Sequence, residues 1–398
     1  MCEMNQTIAV NKLLLAWARE ESGYELDQIA SRLKVKEGRV SAWEKGELQP
    51  TLRQLEKLAH FFHRPLSVFF LPQKPQLPPL AAEYRRLPDV EPGHESPQLR
   101  LALRPMLTRR ENGLNLMGEL GQPIPEFSLR ANLKESPAEV GARMRQAAGI
   151  SINVQFEWTD KWEAWREWRR AVEELGVFVF QFPKVLLTEV RGLALLRTPM
   201  PVIAINGKEM NPEARVFTLF HELAHLMLAA SHEEASAVQE KRKGDEWLAV
   251  ERFAEAAASH AIVPENVLHD VIKSFGLQRT TWNKDNVRQV ARKFWLTPLA
   301  MATRLRESGF MNWDAYNQWR DEWNAYVATI PPRKGFATPI QTTVGRAGRP
   351  FSKLVLEALA ANRITSVDAS RYLNLKFEHF DKLRTHLAMV TGDISFDE

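Results

Sequence analysis

The chain is poor in cysteine: of its 398 residues only Cys2 carries a thiol. That excludes an intramolecular disulfide and fits a reducing, cytoplasmic location. It also means that any transition-metal site must be built from imidazoles and carboxylates. No apolar run reaches membrane-spanning length, and the N-terminus lacks a secretory pattern, so no membrane association is expected. An excess of one charge is missing too. The 53 Lys and Arg residues against 49 Asp and Glu leave a net charge of +4, which does not by itself argue for nucleic acid. Tyrosine is scarce at 5, whereas the 12 tryptophans need large apolar interiors or clefts.

Length alone predicts two to four domains. Helical spacing of apolar residues dominates the first seventy positions, with Leu13, Leu14 and Trp17, then Leu26, Ile29, Ala30 and Leu33, then Val40 and Trp43, then Leu55, Leu58 and Phe62. The proline-dense "LPQKPQLPPL" (Leu71–Leu80) reads as an extended linker. Two β-rich runs, "VFVFQF" (Val177–Phe182) and "VIAIN" (Val202–Asn206), bracket "VRGLALL" and predict a small sheet. Helices follow to the C-terminal end. The expected fold is mainly α with a small β-sheet. Its expected parts are an N-terminal five-helix domain (1–72), a linker (73–94), an α+β domain (95–275), a helix-turn-helix-like region (276–330) and a C-terminal helical domain (331–398).

The chemistry concentrates in "VFTLFHELAHLML" (Val216–Leu228). Asn211 and Pro212 suit the cap and first position of a helix running to Ala230. On it His221 and His225 stack one turn apart, so both imidazoles reach one ion. Glu222 lies about a hundred degrees round, a direction suited to holding a water beside that ion rather than to ligating it. Two satisfied histidines on a half-buried helix would leave Glu222 as an expensive carboxylate on an apolar surface. Zinc also needs a third protein ligand. Downstream, "AVERFAEAAASHAIVPEN" carries Glu251 and Glu255 one turn apart: Glu251 suits the third ligand, Glu255 suits outer support of a ligating histidine, and spacing alone permits the exchange. His260 and His232 are rivals.

These residues resemble the ImmA/IrrE family of zinc metallopeptidases. The likeness runs through "PVIAINGKEMNPEARVFTLFHELAHLML" and "VERFAEAAASHAIVPE", and more weakly through "EYRRLPD", "WREWRRAVEELGVFVFQFP" and "GRAGRPFSKLVLEALAANRIT". It implies a zincin-like domain with His221, His225 and Glu251 as zinc ligands and Glu222 as the catalytic glutamate. Glu255 stands where the family often has asparagine. The implied substrate is a protein regulator, commonly a helix-turn-helix repressor, cleaved under stress or in phage and mobile-element responses.

"YELDQIASRLKVKEGRVSAWEKGELQPTLRQLEKLAHFF" resembles the XRE-type helix-turn-helix. By that likeness Glu37, Gly38, Arg39 and Ala42 face a groove of double-stranded DNA, and Lys36, Arg39 and Lys45 meet phosphates. Glu37 and Ala42 are poor base readers, so a dimerisation or docking module is the alternative. Repressor-like domains usually bind DNA as dimers, so the likeness allows a homodimer, while the sequence leaves the oligomeric state open. "VRQVARKFWLTPLAMATRLRESG" resembles a second helix-turn-helix-like unit, and "TSVDASRYLNLKFEHFDKL" reads as a plain helical bundle. In "FEWTDKWEAWREWRRAVEEL", Trp158, Trp162 and Trp165 suit a core stripe, and Arg166, Arg169 and Arg170 a solvated face. The overall expectation is a zinc endopeptidase joined to a DNA-binding or docking domain. The rivals are a transcription regulator with a peptidase-like sensor or scaffold, and one half of a toxin–antitoxin pair.

Overall fold

The computed structural model describes residues 10–75, 96–183, 185–231, 244–277, 282–331 and 337–388. Most of the proline-rich run, "EYRRLPD" and His232 lie outside them. The chain divides into two compact units, 1–108 and 109–398.

The first unit contains helices α1 (Lys12–Ser22), α2 (Leu26–Leu33), α3 (Glu37–Lys45) and α4 (Leu52–Phe61). A 3₁₀ turn, Leu66–Phe70, stands where a fifth helix was expected. Local chemistry sets the ends of the helices. Asn11 caps α1, and Thr51 with Gln54 forms a capping box on α4. Gly46 closes α3 at φ 81°, a conformation that favours glycine. Leu14, Trp17, Ile29, Val40, Trp43, Leu55, Phe62 and Phe69 fill one core. The start of helix α5 (Pro97–Glu119) belongs here too, because Arg104 donates to the Phe62 carbonyl at 2.6 Å and to Ser22 Oγ at 3.1 Å.

In the second unit α6 (Pro137–Ala148), α7 (Ile152–Glu157) and α8 (Lys161–Glu174) precede a mixed sheet. Strand β1 (Phe178–Phe182) runs parallel to β3 (Val202–Asn206), and β2 (Gly192–Leu195) pairs antiparallel to the other side of β3. The order β1-β3-β2 leaves β2 at one edge. All five residues of β1 and all five of β3 are buried, which explains why both runs are apolar apart from Gln181 and Asn206. Helices α9 (Pro212–Ala230), α10 (Gly244–Ile262) and α11 (Glu265–Ser274) come next. Beyond them are α12 (Lys284–Lys293), α13 (Pro298–Glu307) and α14 (Trp313–Ala328), then α15 (Pro339–Ala347), α16 (Arg349–Ala360), α17 (Ser366–Leu373) and α18 (Phe380–Ala388).

Trp168 sits at the centre of the core, with its ring edge-on to Phe220 at 4.8 Å and to Trp158 at 5.5 Å. Trp158 and Trp165 are buried as expected, while Trp162 is exposed beneath the Arg215 guanidinium. Arg169 corrects the sequence reading of a solvated face. It is 6% exposed, pairs with Glu173 at 3.0 Å, and donates to the carbonyls of Val179 and Gly345. These bonds fasten α15 against strand β1, a tertiary arrangement that helical spacing does not report.

Candidate metal centre

Helix α9 opens as its sequence demands. The Asn211 side chain accepts the Glu213 N–H at 3.1 Å, and Pro212 occupies the first turn. Val216, Leu219, Phe220, Leu223, Ala224, Leu226 and Met227 are fully buried, so α9 is a central helix covered on nearly every side.

His221 and His225 project from one face of α9, with their Nε2 atoms 3.3 Å apart and their rings edge-on. Glu251 reaches in from α10 and places Oε2 3.5 Å from His221 Nε2. One ligand atom from each of the three residues lies within 4.8 Å of the others. Zinc ligands at about 2.0–2.1 Å in a tetrahedron stand roughly 3.3 Å from one another, close to the His221–His225 and His221–Glu251 separations, and the whole donor set lies within 4.8 Å. Its chemistry agrees: two imidazoles and a carboxylate are borderline-hard donors that suit zinc. The His221 and Glu251 side chains retain 15% and 12% of their exposure, and His225 only 5%, so the site opens on one side.

The approach of α10 depends on small residues. Ala254, Ala257, Ala258 and Ala261 are fully buried along it. Opposite them, a Cβ on Gly141 of α6 would lie 2.7 Å from the Ala257 carbonyl oxygen and 2.7 Å from His260 Cβ. Glu222 is 4% exposed and lies against strand β2, where a Cβ on Gly192 would come within 2.8 Å of its Oε1. Sequence reasoning missed both glycines. The available signal for Gly192 was a lone glycine beside an apolar strand run.

Glu255 is exposed one turn beyond Glu251, and its charge helps to hold the Glu307 carboxyl above its usual range, behind the larger effect of burial. His260 is engaged elsewhere: Arg304 Nη2 donates to its Nδ1 at 2.8 Å, and the same nitrogen pairs with Glu265 at 2.8 Å. Burial, then the Arg304 charge, pushes the His260 pKa down to about 4 against the opposing pull of Glu265. Among the residues expected at DNA, Lys36, Glu37, Gly38, Arg39 and Lys45 are exposed around α3. Ala42, also expected at the groove, is 7% exposed.

Among the described residues no helix is long and apolar enough to cross a membrane. The helix-turn-helix family matches residues 15–69, and the IrrE N-terminal-like domain of the M78 peptidases matches residues 172–306. No curated protein matches the chain. Among solved structures, a Mycobacterium tuberculosis transcriptional regulator is similar over 43% of this chain and 52% of that one, at 13% identity and a TM-score of 0.29; the chain thus spans about half of its length. Residues 15–69 are an XRE-type helix-turn-helix domain, and residues 172–306, which hold His221, His225 and Glu251, are an IrrE N-terminal-like M78 domain.

Proposed function

We propose that the chain is a zinc-dependent endopeptidase whose helix-turn-helix domain binds double-stranded DNA or docks a partner. The observation that carries this reading is the convergence of His221, His225 and Glu251, with ligand atoms within 4.8 Å of one another and Glu222 adjacent in the chain. Zinc held there would acidify water and polarise a scissile carbonyl. Glu222 is the general base: it takes a proton from the attacking water and returns it to the leaving amine. Its burial beside β2 shields the carboxylate from bulk water. Glu255 is assigned to the surroundings of the metal rather than to its coordination. By the family likeness, the substrate is a protein regulator such as a helix-turn-helix repressor.

A reading in which the metal is only structural, so that the domain is a sensor or scaffold, fits less well. A structural zinc site has no use for a general base, whereas Glu222 follows His221 directly in the chain and is buried beside the strand. Exposed Lys36, Arg39 and Lys45 support the DNA-binding role of the first unit. The test is a fluorescence-quenched peptide library offered to the zinc-loaded chain. Cleavage that stops on chelation and returns with zinc supports the proposal, and a library left intact by the fully loaded protein counts against it.

A further inference from the structure

Strand interiors favour β-branched and aromatic side chains, and glycine weakens them. Gly192 nevertheless begins β2 at the sheet edge, beside α9. Its backbone is not the reason, because its φ lies outside the left-handed region that favours glycine. Space is the reason. A Cβ there would stand 2.5 Å from Thr218 Cγ2, 2.8 Å from Glu222 Cγ and 2.8 Å from Glu222 Oε1. Thr218 and Glu222 are one turn apart on α9 and form the face that the strand covers.

We propose that Gly192 is the positioning residue for Glu222: its missing side chain lets the strand backbone form a wall behind the carboxylate and fix the direction in which the carboxylate presents its oxygens. The proposal rests on Glu222 being the general base. It goes further by assigning the aim of that base to the neighbouring strand rather than to α9 alone. Alanine at 192 would either rotate Glu222 or push the strand away from it. The proposal expects His221, His225 and Glu251 to keep the metal, since the three heavy atoms nearest to that Cβ belong to Thr218 and Glu222.

The experiment uses the full chain loaded with Co²⁺, with acetohydroxamate as the probe and the cobalt visible absorption as the readout, so no natural substrate is needed. Gly192→Ala should hold cobalt like the wild type and bind acetohydroxamate at least about tenfold more weakly, the scale of one hydrogen bond to a charged group. Glu222→Gln should lose a similar factor, and the double variant should be no weaker than Glu222→Gln alone, since both changes remove the same contact. Should Gly192→Ala fail to fold, Thr218→Ala paired with Gly192→Ala removes the tightest clash and is judged by the same criteria against Thr218→Ala. Wild-type affinity in the Gly192 variants, or a double variant that loses the product of both factors, overturns the proposal. Loss of cobalt in both Gly192 variants also overturns it, because the glycine would then serve the whole metal site. Wild-type affinity in Glu222→Gln refutes the general-base reading itself, an outcome distinct from the others.

Discussion

His221 and Glu251 come from different helices, thirty positions apart in the chain, and meet with Nε2 3.5 Å from Oε2. Two acceptor-rich groups brought together in a mostly apolar region are stable when something positive lies between them. A proton on His221 would serve, and so would a divalent cation. The cation would serve His225 Nε2, 3.3 Å from His221 Nε2, at the same time.

Metal should therefore stabilise the fold. At a zinc concentration about a thousandfold above Kd the gain is about 4 kcal/mol, a rise of several degrees in Tm. His225→Ala or Glu251→Gln should abolish that rise. Thermal scans with and without chelator check it, and a Tm indifferent to metal in the wild type would contradict a site that binds the folded state.

Gly141→Ala should damage the site from a distance. The new methyl meets backbone atoms of α10 at 2.7 and 2.8 Å, and that helix carries Glu251. Overpacking of this kind costs about 1–3 kcal/mol. Lower Tm together with weaker zinc retention against a competing chelator is expected. Unchanged zinc affinity would mean that α10 holds Glu251 without help from α6.

His260 should stay neutral through about pH 5 to 8, and its ring resonances should not titrate there. Its pKa falls from 6.5 to about 4 on folding, so the unfolded chain binds the proton more tightly. Its contribution to stability is present above about pH 6.5 and is lost as pH falls towards 4. His260→Gln should flatten that limb of the Tm profile, and an unaltered limb would contradict the assignment.

Lys36→Ala combined with Arg39→Ala should weaken duplex DNA binding uniformly across sequences. With two phosphate contacts removed, the slope of log K against log salt should fall by about two. Unchanged retention on DNA would reassign the first unit to protein docking.

The histidine helix was legible in the sequence because its signals are local: a capping asparagine, a proline at the first turn, and imidazoles four residues apart. Glu251 was legible through its own amphipathic helix together with the family likeness. What escaped is what only packing decides. Arg169 has the spacing of a solvated face yet is buried beneath α15, an element over 160 residues away in sequence. Ala42 was read as a groove position, and its exposure of 7% is a packing result that spacing does not report. Gly141 and Gly192 matter for the atoms they leave room for, and those atoms belong to other elements.

The most direct test compares wild type with Glu222→Gln, measuring zinc per chain and cleavage of a peptide selected on the wild-type protein. Near-equal zinc content with cleavage at least about a hundredfold slower is expected of a lost general base. Undiminished cleavage by a zinc-loaded Glu222→Gln protein would contradict the account.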